Sequence, residues 1–305
     1  MRYPDRVTIV EVGLRDGIQA EPTLIPTERK LAIADAIAAA GVQAMEVTAF
    51  VHPAAVPQMA DSADLMARLK RRPGVRYAAL VPNLKGAERA VAAGVDEIRF
   101  VVTASEAFNQ RNVQMSVIES IAQVPEIVQL CRAGPQPVRF TGAVGTAFGC
   151  PYEGHVNPDR VIGLVAAYVA ASADSVILAD TTGMGNPLQV ARLCAAVQDR
   201  FPGLEVTLHL HNTRGMGLVN LLGGLEAGIT SFEASLGGTG GCPFAPRATG
   251  NICTEDAVHM LHEMGITTDI DLDRLLEAAR FMEEAVGHPL PGQVLRAGPR
   301  WRPLA

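Results

Sequence analysis

Apolar positions along the chain cluster into short runs, and longer amphipathic stretches separate them. Runs rich in β-branched residues predict strands at Val7–Leu14, Ala44–Phe50, Arg76–Val81, Glu97–Val102, Val138–Gly145, Ser175–Asp180, Glu205–Asn212 and Ile229–Leu236. The intervening segments carry helical spacing at Thr27–Ala40, with Thr27 as N-cap, and at Ser62–Arg71, Lys85–Ala93, Ser116–Cys131, Pro158–Ala171, Pro187–Arg200 and Leu218–Ala227. Gly41, Gly94 and Gly228 each follow a helical stretch and precede a strand, where a helix ends in a left-handed residue. Eight βα units at intervals of roughly 20–40 residues predict an α/β chain folded as a (β/α)8 TIM barrel. An open doubly wound sheet fits less well, because no nucleotide-binding glycine fingerprint follows a strand. Two more helical stretches, Thr254–Met264 and Asp271–Val286, and a Pro/Gly-rich tail read as a short C-terminal helical extension over residues 254–305. No linker or charge block divides the chain, so residues 1–305 are expected to form a single barrel domain.

Composition narrows the function. Hydrophobic residues make up 48% of the 305 positions, enough for a large core, and the net charge of −6 offers no basic field to a nucleic acid. No apolar run is long enough to span a membrane, and the opening Met1-Arg2-Tyr3-Pro4 reads as no signal peptide. Five scattered cysteines suggest neither a disulfide framework nor a zinc site, so a reducing, cytoplasmic setting is expected. Only three of the 26 basic residues are lysines, and none lies on a predicted strand facing inward, which counts against Schiff-base chemistry.

The reactive residues gather at one end of the predicted strands, where such barrels place their active sites. Arg15 and Asp16 end the first strand, Glu46 lies inside the apolar second, and Asp180 closes the sixth. His209 and His211 close the seventh, and Asn251 follows a glycine-rich loop after the eighth. Strand side chains alternate, so His209 and His211 share a face about 7 Å apart and can reach one divalent cation. Each residue also has a plainer reading: a loop cap for Asp16, a buried ion pair for Glu46, a helix-entry cap for Asp180, a small turn residue for Cys242. Two imidazoles with two oxygen donors, Asp16 and Asn251, suit Mg²⁺ or Mn²⁺ better than zinc. Such an ion can acidify a substrate hydroxyl, and the resulting tertiary alkoxide can expel an enolate by C–C cleavage. Cys242, among the glycines of that loop, is a candidate acid for the enolate.

Several motifs carry a family resemblance. Glu11-Val12-Gly13-Leu14-Arg15-Asp16-Gly17 resembles the opening motif of metal-dependent aldolase-like barrels that include 3-hydroxy-3-methylglutaryl-CoA lyase. Gly238-Thr239-Gly240-Gly241-Cys242-Pro243, Thr249-Gly250-Asn251, Thr254-Glu255-Asp256, Val56-Pro57-Gln58-Met59, Pro82-Asn83-Leu84-Lys85-Gly86 and Gly149-Cys150-Pro151-Tyr152-Glu153-Gly154 look like the lyase branch. The resemblance runs from about Val7 to about Val286. It implies retro-Claisen cleavage of a 3-hydroxyacyl-CoA thioester. Asp16, His209, His211 and Asn251 would hold the metal, and Arg15 would stabilise the enolate oxygen. His209 and Asp180 would serve acid–base steps at the hydroxyl, and Cys242 would act as the loop acid. Glu46 would buttress Arg15 and Asn251, with Glu255 supporting the site in a similar way. The condensing synthases of this barrel group tend to carry Glu-Arg where this chain has Gly241-Cys242. The biotin-dependent carboxylases use a barrel lysine that is missing here.

The chain also departs from the lyase pattern. Asn212 replaces the aspartate of the usual His-x-His-Asp-Thr, and Ala143 replaces a tyrosine. His52-Pro53-Ala54-Ala55 replaces a stretch with Lys-Trp, and Ile177 stands where serine is common. None of these touches the expected metal ligands, and together they suggest a larger, less polar acyl region. The expected reaction converts 3-hydroxy-3-methylglutaryl-CoA to acetyl-CoA and acetoacetate. Citramalyl-CoA, a branched homologue, or a catalytically silent metal-binding regulator are the alternatives. A homo-oligomer, dimer or tetramer, is expected.

Overall fold

The computed structural model describes residues 3–241 and 250–301. Eight parallel strands close into one barrel in sequence order: β1 Thr8–Glu11, β2 Ala44–Ala49, β3 Arg76–Val81, β4 Glu97–Thr103, β5 Arg139–Gly145, β6 Ser175–Asp180, β7 Glu205–Leu210 and β8 Ser231–Ala234. Around them lie α1 Thr27–Ala39, α2 Ser62–Arg68, α3 Leu84–Ala92, α4 Glu106–Val113, α5 Val117–Ala122, α6 Val124–Ala133, α7 Pro158–Ala170, α8 Pro187–Arg200 and α9 Gly217–Glu226. Three more follow the last strand: α10 Thr254–Glu263, α11 Leu272–Val286 and α12 Gln293–Ala297. This is the predicted TIM barrel with C-terminal helices.

Parallel pairing requires a crossover after each strand, and the amphipathic helices supply it while burying the outer face of the sheet. Ile98, Phe100, Phe140, Val144, Val176, Leu178, Leu208 and Phe232 fill that layer. Glycine closes several helices: Gly41, Gly94 and Gly228 sit at φ of 97°, 73° and 82°, one residue past Ala40, Ala93 and Ala227.

Local chemistry explains where the sequence boundaries move. Thr27 opens α1 rather than capping it; Pro26 is the cap residue, and the Thr27 hydroxyl donates instead to Asp61. The stretch 116–131 splits in two, because Ser116 and Glu119 form a capping box on α5 while Pro125 starts α6 afresh. α4, absent from the sequence reading, is capped by Ser105, and α12 lies within the Pro/Gly-rich tail. Strand β1 stops at Glu11, and Gly13–Gly17 coils into a π-turn. A π-turn is uncommon and frequent at functional sites.

Barrel closure fixes which side chains face inward. Arg99 on β4 contacts Glu233 on β8, and the two strands lie on opposite sides of the barrel, so both side chains project through its interior. Alternation and register carry this around the wall: Val101 pairs with Ala143, Ala143 with Ile177, Ala179 with His209, and His209 with Glu233.

Candidate active site

The π-turn lifts Arg15 and Asp16 over the C-terminal mouth of the barrel, and both are buried. His209 reaches the same point from β7. His211, just past β7, is held there by an antiparallel bridge to Asn251. Asp16, His209 and His211 each offer a ligand atom within 4.8 Å of the others. The His211 and His209 Nε2 atoms are 3.0 Å apart, and they lie 3.6 and 3.9 Å from Asp16 Oδ2. Asn251 donates Nδ2 to Asp16 Oδ2 at 2.7 Å.

This arrangement fits a bound cation. Two imidazole nitrogens face each other, and Asn251 Oδ1 and His211 Nδ1 are buried with no hydrogen-bond partner among the described residues. A divalent ion at this point could take lone pairs from both Nε2 atoms and from Asp16. Turning the Asn251 amide over, an orientation not fixed by its shape, presents the orphaned Oδ1. The donor set of two nitrogens and oxygens admits Mg²⁺- or Mn²⁺-like ions.

A buried ionic lattice holds the ligands in place. Arg15 Nε donates to Glu46, and Arg15 Nη1 donates to Asp16 Oδ1 at 2.6 Å. His209 Nδ1 lies 2.7 Å from Glu233 Oε2, which leaves Nε2 free for the site. Arg99 ties Glu233 to Glu97, with Glu46 3.8 Å away. Sequence reasoning missed Arg99, Glu97 and Glu233. The signal was present, since each is a charge inside an apolar strand, the criterion that singled out Glu46.

Electrostatics follow from these contacts. Burial works against the charged Asp16, but Arg15 and the two imidazoles outweigh it and hold its carboxyl far below the usual range. Burial alone would lower His209, yet the Glu233 carboxylate and Asp16 raise it on balance. His211 has no carboxylate on its second nitrogen, and burial together with His209 pushes it down to about 4. It is therefore a neutral donor at neutral pH.

The other predicted residues are arranged around this point in different ways. Asp180 pairs in register with Leu210. Its carboxylate accepts from the Met184 amide at 2.8 Å and from the Gly185 amide at 3.1 Å. Glu46 contacts Arg15 and Arg99, whereas Asn251 contacts Asp16 and the Thr239 carbonyl. Glu255, at the start of α10, accepts from the Gly237 amide at 3.0 Å, beneath the beginning of the glycine loop. Cys242 lies outside the described residues.

Glu255 has an unforeseen neighbour in Glu11, which accepts from the Leu236 and Gly13 amides and so joins the π-turn to the same loop. Burial pushes Glu11 up to about 8 and Glu255 up to about 7, from ordinary values of 4.5. The folded chain therefore binds more protons than the unfolded one between pH about 5 and 8. Their contribution to stability is complete below that window and is lost as pH rises through it. Melting temperatures should fall across this range, and the double variant Glu11→Gln/Glu255→Gln should show a flatter slope. An unchanged slope in the double variant would contradict this assignment.

Comparison with known proteins agrees with this architecture. Residues 6–282 match the HMGL-like family model. The (R)-citramalyl-CoA lyase of Chloroflexus aurantiacus is 43% identical over 97% of this chain and 96% of its own length. A hydroxymethylglutaryl-CoA lyase of Bacillus subtilis is 42% identical over 97% of this chain and 98% of its own. The solved structure of an HMG-CoA lyase from Acinetobacter baumannii, in complex with coenzyme A and 3-methylmalate, superposes with a TM-score of 0.95 at 41% identity over the full length of both chains. The chain belongs to the HMGL-like family.

Proposed function

We propose that this protein is a divalent-metal-dependent carbon–carbon lyase that cleaves 3-hydroxy-3-methylglutaryl-CoA to acetyl-CoA and acetoacetate. The observation that carries the reading is the convergence of Asp16, His209 and His211 beside Arg15 at the mouth of the barrel. Relatives bearing lyase names, about 40% identical over nearly the whole chain, support it.

Asp16, His209, His211 and Asn251 would hold Mg²⁺ or Mn²⁺, which would supply Lewis acidity to the substrate hydroxyl and carbonyl oxygens. The hydroxyl proton leaves toward the His209–Asp180 side. With its Nε2 turned to the ion and its Nδ1–H donated to Glu233, His209 would have no lone pair for that proton, so the Asp180 carboxylate, which interacts electrostatically with His209, would take it while His209 orients the hydroxyl. The C2–C3 electron pair then passes into the thioester enolate as C3 becomes a ketone. Arg15, fixed by Glu46, places its guanidinium where charge develops on the enolate oxygen. Cys242 delivers the proton that makes the methyl group of acetyl-CoA, and Glu255 supports the loop that carries it. Asp180 contributes a charge at the rim while holding the turn at Met184 and Gly185.

Citramalyl-CoA is the second reading, favoured by the 43% identical relative that bears that name. Incubating the protein with a panel of 3-hydroxyacyl-CoA thioesters and Mg²⁺ or Mn²⁺, with acetyl-CoA followed by mass spectrometry, separates the two. Release from no member of the panel would overturn both. Cys242→Ser is expected to fold and bind metal normally and to lose most turnover, because a hydroxyl is a far weaker acid than a thiol. Near-wild-type turnover would remove Cys242 from the mechanism.

The reading includes a cytoplasmic homo-oligomer, dimer or tetramer. The four described cysteines, Cys131, Cys150, Cys194 and Cys253, are free thiols, as a reducing compartment requires. No described helix is long and apolar enough to cross a membrane.

A further inference from the structure

Two buried carboxylates each hold a functional side chain with one oxygen and turn the other oxygen toward the same nitrogen. Glu233 Oε2 lies 2.7 Å from His209 Nδ1, and Glu233 Oε1 accepts from Arg99 Nη1 at 2.5 Å. Glu46 Oε2 accepts from Arg15 Nε, and Glu46 Oε1 lies 3.8 Å from that same Arg99 Nη1. Nη1 carries two N–H groups, so one nitrogen can serve both carboxylates. Arg99 Nε donates to Glu97 Oε1 at 2.9 Å, which fixes the guanidinium from its own strand. Glu46 on β2 and Glu233 on β8 stand on either side of β1, the strand that leads into the π-turn of Arg15 and Asp16. Arg99 therefore reaches across the barrel to a point that serves both arms of the site.

Stability alone gives little reason for this cation. Arg99 is 3% exposed, and Glu46 and Glu233 are as deeply buried. Taking such charges out of water offsets much of what their pairing gains, and apolar side chains of similar volume often serve a core as well. What a buried ion pair can supply is a fixed geometry. Here that geometry extends to His209 and Arg15, each through its carboxylate partner. Glu233 lies close enough to Glu46 to act on it electrostatically, and the two negative groups repel each other. Arg99 draws both to one point. Without it they would separate, and His209 and Arg15 would shift with them.

We propose that Arg99 is a positioning residue shared by the metal site and the enolate site: through Glu233 it holds His209 Nε2 toward the ion, and through Glu46 it holds the Arg15 guanidinium over the barrel mouth. Arg99 acts only through the two carboxylates and takes no part in proton transfer. The role toward Arg15 rests on the lyase reading above; the role toward His209 needs only the metal site.

Two double-mutant cycles test this. In the first, Mn²⁺ is titrated into wild type, Arg99→Lys, Glu233→Gln and the double variant, with the free ion followed by electron paramagnetic resonance. Arg99→Lys keeps the charge but replaces the planar fork with a single ammonium. Outer-shell partners of a metal-binding histidine are worth about 10–100-fold in affinity, so Arg99→Lys should weaken Mn²⁺ binding about tenfold. In the Glu233→Gln background the same change should cost less than about threefold, because the contact it acts through is already altered. A merely structural cation would cost the same in both backgrounds. In the second cycle, kcat at saturating Mn²⁺ should fall about tenfold in Arg99→Lys with KM within about threefold, and the fall should shrink below about threefold in Glu46→Gln. Thermal melts establish that each variant is folded. Arg99→Met/Glu97→Gln, which removes one charge of each sign, takes the place of Arg99→Lys in both cycles if the lysine variant does not fold. A folded Arg99 variant that binds Mn²⁺ within about threefold of wild type would overturn the proposal, as would a loss that is equal with and without Glu233 or Glu46. The expected Mn²⁺ cycle with no thioester cleaved by wild type would instead sink the lyase reading and leave the hold on His209 in place.

Discussion

Replacing Asp16 by alanine is expected to remove both metal binding and turnover. Asp16 is the charged oxygen donor of the group, 3.6 and 3.9 Å from the two imidazole Nε2 atoms and 2.7 Å from the Asn251 amide. Without it, two imidazoles and an amide hold a dication with no compensating charge. Loss of an outer-shell partner costs metal sites about 10–100-fold in affinity, so loss of this ligand should cost more than about 100-fold. The barrel should persist, because its core is hydrophobic and lies outside the strands. Direct metal titration alongside a thermal melt checks this. A folded Asp16→Ala that binds Mn²⁺ as tightly as wild type would show that the ion sits elsewhere.

Arg15→Ala should be nearly as damaging for a different reason. The guanidinium is the cation nearest the ligands that can meet an anionic enolate oxygen, and Glu46 fixes its orientation from within the barrel. Removing such a stabiliser lowers kcat by on the order of 10²-fold or more, with a smaller effect on KM. Lysine should rescue poorly, since a single ammonium cannot address Glu46, Asp16 and substrate together in the geometry of the planar fork. A change confined to KM would mean that Arg15 only binds substrate. The variant also leaves Glu46 and Asp16 without their shared partner. Burial already pushes Glu46 upward, and the loss of Arg15 should make it take up a proton more readily.

Much of this site was legible before the fold was known. The βα rhythm gave the barrel, and alternation within Leu208-His209-Leu210-His211 put two imidazoles on one face. What remained hidden depends on closure. Glu97 and Arg99 sit two residues apart on β4 and Glu233 sits on β8, and only closure of the barrel lets Arg99 reach across its interior to make them one lattice. Asp180 shows the reverse. Its place at the end of β6 suggested a reacting group, and its carboxylate accepts from two backbone amides while interacting electrostatically with His209. The plainer reading of a turn cap describes the amide contacts. Arg15 and Asp16 were expected on a strand end and lie in a π-turn, which hydrophobic periodicity does not reveal. The carboxyl pair Glu11 and Glu255 was also hidden, because their residues lie far apart in sequence and meet only beneath Leu236 and Gly237.

Thioester cleavage is expected to require a divalent ion held by Asp16, His209, His211 and Asn251. Stripping the protein with EDTA, verifying the loss by elemental analysis, and titrating Mn²⁺ or Mg²⁺ back while following acetyl-CoA release tests that claim most directly. The stripped protein should be folded and inactive, and activity should return in step with about one bound ion per chain. Full turnover by a protein shown to be metal-free would contradict it.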